Sequence, residues 1–470
     1  SSLMIRHNYL EASRSTMYKT LKSYLKTDRK FLGSMLKIAL PIMIQNLVTS
    51  SLNMADTIMV GKLGETEIAA VGIANQYFFF FTMILVGLCG GCSVFISQYW
   101  GKRDFTNIKR ILGLGLVSVL LVSIVFMAAG FINPGKIISV FNKDSIVIEL
   151  GGKYLFIVLF SYIFTAITFI YSYSLRSIGN TVAPLIVNIA ALLCNVFFNY
   201  ILIFGKFGAP ALGVEGAAIA TLIARVVETI ILVFLVYKDN GVLAANLTEL
   251  KDINLDFVKK SYKIIVPVLL NDVLWAMASL IYSVVYGRMG TGPTAAVQIT
   301  NTVSNMFMVV TFGMASASAI MVGNSIGEGK EEQTIDYAKK FMGISLYVSI
   351  ILGAILALTS PLILGLFNVS NEVRRSTLIM LYIISFIFIV RFLGMVIIVG
   401  ILRGSGDARS SLIIEGSTMW FIGVPLTIMG AFLFKLPVHL VYALAILEEV
   451  AKLFLGLIRL KSRKWIINIT

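Results

Sequence analysis

Residues 111–131 read ILGLGLVSVLLVSIVFMAAGF, a run of 21 residues without a charged side chain. As a helix this run would be about 30 Å long, which is the thickness of the hydrocarbon core of a bilayer. Inside a bilayer only helices and closed barrels satisfy every backbone polar group, and barrel strands alternate in polarity over about 10 residues. The continuous apolar run therefore predicts a membrane-spanning helix.

The composition of the whole chain agrees with this prediction. Of the 470 residues, 58% are hydrophobic and only 13% are charged, whereas soluble proteins average about 25% charged residues. The formal net charge of +15 would suggest nucleic acid binding in a soluble protein, but here Lys and Arg lie between apolar blocks, where they direct membrane topology. These properties exclude a soluble globular protein and predict an all-α membrane protein without a nucleic acid partner.

Further apolar windows predict twelve transmembrane helices. Most of the 39 Lys and Arg residues lie on one side of these windows, and this excess places both termini in the cytoplasm. The predicted spans are residues 37–60, 70–97, 108–131, 150–175, 181–205, 214–237, 262–287, 293–326, 337–360, 373–402, 409–434 and 438–459.

An internal repeat divides these spans into two halves. Residues 37–104 align without a gap onto residues 263–330, and the loop Leu175-Arg176-Ser177-Ile178-Gly179-Asn180 matches Leu402-Arg403-Gly404-Ser405-Gly406-Asp407. Because each half holds six spans, both insert in the same direction, and a pseudo-twofold axis along the membrane normal relates them. Secondary transporters use this plan, in which two lobes rock about a central site.

The repeat sets the expected domain boundaries. They are a basic cytoplasmic N-terminal segment (1–36), an N-lobe of helices 1–6 (37–237), a cytoplasmic linker (238–261), a C-lobe of helices 7–12 (262–460) and a cytoplasmic C-terminus (461–470).

Over residues 35–465 the sequence resembles the multidrug and toxic compound extrusion (MATE) family of transporters. The resemblance rests on Met54-Ala55-Asp56-Thr57-Ile58-Met59-Val60-Gly61, on Ile68-Ala69-Ala70-Val71-Gly72, on Gly216-Ala217-Ala218-Ile219-Ala220-Thr221 and on both Leu-Arg loops. It implies two six-helix lobes that export organic compounds, often lipophilic cations, coupled to inward movement of H⁺ or Na⁺. The sequence contains no Gly-x-x-x-x-Gly-Lys-Ser/Thr motif for ATP.

Asp56 is the clearest functional candidate in the first half. A carboxylate in a membrane span is costly and marks a functional site by default. Gln45 precedes it by three helical turns and shares its face. The resemblance implies that Asp56 receives the coupling ion together with Asn195, Asn199 and Thr221. This set could take up a proton or bind Na⁺ through its oxygen atoms, so the coupling ion stays open.

The second half carries a different polar set, because the repeat places Tyr282 opposite Asp56. Asp272 or Glu415 could meet a cationic compound or pair with Arg391, since a membrane-buried Arg nearly always has such a partner. On the sixth span, the spacing of Arg225 and Glu228 predicts an intrahelical ion pair. The substrate-cavity candidates are Gln45, Asn271, Asp272, Trp275, Tyr282, Arg391 and Glu415.

These features predict a secondary active multidrug efflux transporter that exports amphipathic, cationic organic compounds by H⁺ or Na⁺ antiport. The alternative is a flippase of lipid-linked precursors from the same wider superfamily, which would need a groove rich in Lys and Arg. We expect no enzyme activity, no cofactor and no metal site beyond Na⁺. The expected partners are a small lipophilic cation and membrane lipids, with the protein acting as a monomer in a bacterial plasma membrane.

Overall fold

The computed structural model describes residues 29–470 together with Lys19 and Lys22, and these residues form helices and no β-strand. The rest of the expected N-terminal segment, residues 1–18, 20–21 and 23–28, lies outside the described residues. The long helices are α1 (Arg29–Gly61), α2 (Glu65–Lys102), α3 (Phe105–Ile132), α4 (Ser145–Leu159 with Tyr162–Ser177), α5 (Val182–Phe204), α6 (Val214–Lys238), α7 (Leu255–Met289), α8 (Thr291–Gly327), α9 (Glu331–Leu364), α10 (Asn371–Leu402), α11 (Ala408–Leu433) and α12 (Val438–Lys461).

The helices make the chain an integral, multi-pass membrane protein. In the described part of the chain, ten helices are singly long and apolar enough to cross a bilayer, and the two parts of α4, bent by 51°, together form an eleventh. Helix α12 has 24 residues, so it is about 36 Å long, but Glu448, Glu449 and Lys452 lower its hydropathy. Glu449 and Lys452 form ion pairs inside the protein and Glu448 accepts a hydrogen bond from Tyr282, which makes α12 the twelfth span of the predicted fold.

Polar caps let several helices extend past the predicted apolar spans. The side chains of Asp104, Asp144, Asn254 and Ser370 accept hydrogen bonds from backbone N–H groups at the starts of α3, α4, α7 and α10. Such caps contribute about 1 kcal/mol each. Helix α7 therefore begins at Leu255, inside the segment that hydropathy alone assigns to the linker.

Ion pairs attach the remaining linker to the N-lobe. Lys109 and Arg110 at the start of α3 form ion pairs with Glu249 and Asp252, the second with a nitrogen–oxygen distance of 2.8 Å. The hydrogen bond and positive charge of Lys109 hold the pKa of Glu249 below its usual range. The acidic residues of the linker thus bind the basic end of a helix in the first half.

The N-terminal half of the first helix of each lobe packs against the other lobe. Phe31, Met35 and Ile42 on α1 pack in the apolar core of the C-lobe with Phe341 and Phe392. Conversely, Ile265 on α7 belongs to the apolar core of the N-lobe, and the hydroxyl of Tyr262 hydrogen bonds with that of Ser118 on α3. The lobes (α1–α6 and α7–α12) are therefore joined by packing as well as by the linker.

The lobes approach most closely where the C-terminal ends of α2 and α8 cross, which we call the closed end. A Cβ atom on Gly101 would collide with the backbone of Asn324, and one on Gly327 would collide with the backbone of Gln98. The repeat pairs Gly101 with Gly327 and Gln98 with Asn324. The pseudo-twofold symmetry thus produces the same close contact between the backbones of α2 and α8 at two places. Only glycine permits this contact, because any Cβ atom would collide with the facing backbone.

We expect Gly101→Val to destabilise the closed end. The new side chain must push two helix backbones apart, and overpacking of this kind costs about 1–3 kcal/mol. Thermal unfolding of the detergent-solubilised protein should show a lower Tm. Gly72→Val is the matched control, because Gly72 lies on the same helix and a Cβ atom there would meet no atom within 4 Å. Equal Tm values for the two variants would contradict the tight crossing.

The segment after α12 also bridges the lobes at the closed end. The side-chain amide of Gln98, in the N-lobe, donates to the carbonyl of Ile467 (3.0 Å) and accepts from the N–H of Ile469 (3.0 Å). The N–H of Ile467 donates to the carbonyl of Ser405 in the C-lobe (3.2 Å). Trp465 is 2% exposed and packs in the C-lobe core. Residues 465–469, which we call the strap, therefore hold both lobes.

Candidate functional site

A cavity lies within the N-lobe and is lined by residues of α1, α2, α4, α5 and α6. Its volume is about 530 Å³, which lies within the range of small-molecule sites. Aromatic side chains such as Phe78 and Phe169 line it beside several hydroxyl and amide groups. The ionisable residues in this lining are Asp56, Arg176, Arg225, Glu228, Tyr154 and Tyr173.

The structure brings three of the predicted coupling-ion residues into direct contact. The side-chain amide of Asn199 donates to the carboxylate of Asp56 and to the carbonyl oxygen of Asn195, the latter at 2.9 Å. Asn195 and Asn199 lie one turn apart on α5 and are 1% and 0% exposed. Thr221, on α6, lines the same cavity as Asp56 and Asn195. Asp56, Asn195 and Thr221 therefore line one cavity, and Asn199 contacts the first two of them; we call this place one corner of the cavity.

Two oxygen atoms at this corner are buried without a hydrogen-bond partner among the described residues. They are the amide oxygen of Asn199 and the hydroxyl of Thr221. Together with the carboxylate of Asp56 they provide oxygen ligands of the kind that hard cations prefer. The same carboxylate can accept a proton. The donor set is therefore suited chemically to either H⁺ or Na⁺.

An ion pair on α6 lies beside this corner. The guanidinium of Arg225 contacts the carboxylate of Glu228 at 3.0 Å, so the predicted intrahelical pair is present. Arg225 also lies 5.9 Å from the centre of the Phe78 ring. Because Glu228 is 4% exposed, the pair neutralises a buried carboxylate, and its two charges are already satisfied.

Gln45 lies at a different part of the same cavity. Its side-chain oxygen accepts a hydrogen bond of 2.6 Å from the guanidinium of Arg176, at the end of α4. Arg176 also stacks near Tyr173, with 5.5 Å between the guanidinium carbon and the ring centre. The side chain of Gln45 thus bonds to a cation of the Leu-Arg loop rather than to the coupling-ion candidates.

A second cavity, of about 320 Å³, lies between the two lobes. Helices α2, α7, α8 and α10 contribute to its lining, and so do Asp272, Trp275, Arg403 and Glu415. Tyr173 and Arg176 line both this interlobe cavity and the N-lobe cavity. Arg176 therefore stands where the two cavities meet.

The charged residues of the C-lobe form ion pairs, with partners that differ from the predicted ones. Asp272 contacts Arg403 at 2.9 Å, and Glu415 contacts Lys452 at 3.7 Å. Arg391 pairs instead with Glu449, at 3.8 Å. The expected pairing of Arg391 with Asp272 or Glu415 is wrong, because Arg403 lies closer to Asp272 and Lys452 lies closer to Glu415.

Three of the substrate-cavity candidates line neither cavity. Asn271 donates to the hydroxyl of Ser411 at 3.5 Å, Tyr282 donates to the carboxylate of Glu448 at 2.9 Å, and Arg391 pairs as described. Gln45, Asp272, Trp275 and Glu415 do line a cavity. The sequence-based set omitted Arg176 and Arg403, although the duplicated Leu-Arg loop could have revealed both.

Comparison with known proteins agrees with this architecture. The family model MatE matches residues 41–201 and 267–429, one segment in each half of the internal repeat. The chain belongs to the MatE family. The predicted MATE resemblance is thereby confirmed, and the two matched segments of this MATE protein fall in its two lobes.

Named relatives and solved structures of MATE proteins resemble the chain along nearly all of its length. The "Uncharacterized transporter YisQ" of Bacillus subtilis is 24% identical over 96% of this chain and 99% of its own. The "Probable multidrug resistance protein NorM" of Thermotoga maritima is 25% identical over 95% of this chain and 96% of its own. A structure described as the outward-facing conformation of a multidrug resistance MATE family transporter has a TM-score of 0.82 at 20% identity, covering 95% and 99% of the two chains.

Proposed function

We propose that this MATE protein exports amphipathic organic compounds, including lipophilic cations, by antiport with H⁺ or Na⁺. The observation that carries this proposal is the position of Asp56, whose carboxylate faces a cavity of about 530 Å³ and contacts Asn199. A group that takes up a cation next to a substrate-sized cavity can make binding of one depend on the other. The multidrug resistance names of several relatives support the same activity.

Alternating access supplies the mechanism. The lobes are in contact at the closed end through the crossing of α2 and α8. The excess of Lys and Arg in the adjacent loops supports a cytoplasmic position for that end and for both termini. A compound in the cavities would thus be released to the outside in this state. Opening of the cytoplasmic side requires the lobes to separate at the closed end.

In the proposed cycle, Asp56 exchanges its cation while the cavity is open to the outside. A proton would neutralise the carboxylate, and Na⁺ would be held by the carboxylate with the oxygens of Asn199, Asn195 and Thr221. Either event removes negative charge from the N-lobe cavity and weakens its attraction for a cationic compound. The energy of the ion gradient is thereby coupled to release.

The protein would act as a monomer in a bacterial plasma membrane, with lipids around its apolar outer surface and no cofactor. H⁺ and Na⁺ are the two candidate coupling ions.

The experiment is transport by the purified protein in liposomes. A fluorescent lipophilic cation is loaded on the side of the closed end, and an H⁺ gradient or a Na⁺ gradient is imposed in turn. Accumulation driven by one gradient and abolished by collapsing it would support antiport and identify the ion. Lipid scrambling in the same vesicles without gradient-driven dye movement would instead favour the flippase function.

A further inference from the structure

Arg176, in the last turn of α4, is a partly buried cation that lines both cavities and has no acidic partner among the described residues. Among the described residues no carboxylate oxygen lies within 4.0 Å of its guanidinium, and its side-chain hydrogen bond goes to the neutral Gln45. Its Nε atom is buried and has no hydrogen-bond partner. Arginines inside membranes almost always pair with an acid or with backbone carbonyls. The charge of Arg176 is therefore uncompensated within the described part of the chain.

The C-lobe contains the matched, neutralised arrangement. Arg403 occupies the same place in the second Leu-Arg loop and contacts Asp272 at 2.9 Å. The pairs Arg176–Gln45 and Arg403–Asp272 each join residues 131 positions apart in the chain. The repeat pairs Gln45 with Asn271, the residue before Asp272, so the two arginines are equivalent but their partners are one residue apart. The partner is a carboxylate in the C-lobe and a neutral amide in the N-lobe, and only the amide leaves the guanidinium charge without a counter-charge.

The other acids that line the two cavities are already engaged. Glu228 pairs with Arg225, and Glu415 pairs with Lys452. Asp56 accepts its hydrogen bond from Asn199 at the α5 corner. None of these carboxylates forms an ion pair with Arg176, so its guanidinium is open to an acidic group of a ligand in either cavity.

We propose that Arg176 binds an acidic group, a carboxylate or phosphate, of the transported compound. The planar guanidinium has five N–H donors and binds such groups through paired hydrogen bonds. Tyr173 and Phe169, which line the N-lobe cavity beside it, provide aromatic surface for the apolar part of the compound. This inference rests on the proposed transport function and extends its substrates from lipophilic cations to amphipathic acids and zwitterions.

The test uses a rhodamine dye that bears a free carboxylate and the methyl ester of the same dye, so that the probes differ in one acidic group. Binding to the purified protein is measured by fluorescence polarisation, and transport is measured in liposomes. The variants are Arg176→Gln and Gln45→Asp, the second of which places a carboxylate on the hydrogen-bond partner of Arg176 and neutralises Arg176 without removing it. Arg374→Gln is the control, because Arg374 is exposed and hydrogen bonds only to a backbone carbonyl.

We expect both variants to bind the acid about tenfold more weakly than the unaltered protein, as for loss of a charge-assisted hydrogen bond. Binding of the ester should stay within about twofold in both variants, which also shows that they fold, and Arg374→Gln should bind both dyes normally. Unchanged binding of the acid in both variants would overturn the assignment of Arg176. Absence of gradient-driven movement of either dye in the unaltered protein would instead refute the proposed function, so the two failures are distinct.

Discussion

Asp56→Asn should abolish gradient-driven export while leaving the fold intact. Asparagine has nearly the same shape and can keep a hydrogen bond with Asn199, but it neither takes up a proton nor attracts Na⁺. We expect the rate of gradient-driven dye export from liposomes to fall by about tenfold or more, whereas dye binding in detergent should persist. The loss of one group that acts as the coupling site removes the whole coupling free energy between ion and substrate.

A relocated carboxylate provides the matched control for this prediction. In the double variant Asp56→Asn/Asn199→Asp, the acid and the amide exchange places across their own hydrogen bond. Because the side chains of residues 56 and 199 are in direct contact, the relocated carboxylate stays close to its original position and part of the coupled export should return. Glu215→Gln, which removes an acid at the start of α6 that is 3.8 Å from Lys153, should have no effect. Unchanged gradient-driven export by the Asp56→Asn variant would show that the coupling ion binds outside the N-lobe.

Asp272→Asn should be the most destabilising of the substitutions considered. It removes the partner of Arg403, whose side chain is 11% exposed and whose Nε atom is already without a hydrogen-bond partner. Removing one partner of a buried ion pair costs about 3–5 kcal/mol, because the remaining charge stays buried. The free energy of unfolding in detergent and denaturant measures this loss.

The double variant Asp272→Asn/Arg403→Gln should recover much of the stability, since it removes both charges together. Glu328→Gln serves as the comparison, because Glu328 pairs with Lys330 at 2.7 Å on the exposed surface. Such surface pairs contribute about 0–1 kcal/mol. A cost for Asp272→Asn no greater than that for Glu328→Gln would show that the Asp272–Arg403 pair is not buried in the folded protein.

The sequence predicted the helices well because hydrocarbon imposes a strong constraint on it. A run such as residues 111–131 has one stable conformation in a bilayer, and the repeat of Gly101 as Gly327 reveals the two lobes from the order of residues alone. The residues Asp56, Asn195 and Asn199 could be grouped only through the family resemblance. Their contact across α1 and α5 depends on tertiary packing, which no periodicity within one helix reveals.

Partner choice among the charged residues was the least predictable feature. Asp272 and Arg391 lie in the same half of the chain and could therefore form a pair. The structure instead places Arg403 beside Asp272 and Glu449 beside Arg391. Ion pairs form over a few ångströms between helices, whereas hydropathy locates a residue along the membrane only to within a turn or two. The packing of α1 and α7 against the opposite lobes was unpredictable for a similar reason. A hydrophobic pattern shows which face of a helix is buried but not which apolar core that face joins.

The strap has a consequence for the order of folding. Gln98 leaves the ribosome early, but its partners at Ile467 and Ile469 are 369 and 371 residues further along the chain. The fully buried amide of Gln98 must therefore wait for synthesis of all twelve helices before these hydrogen bonds form. Contacts so distant in sequence form slowly. The closed end is thus the part of the molecule whose assembly completes last. A substitution that weakens the contacts of the strap would therefore affect folding only after both lobes have entered the membrane.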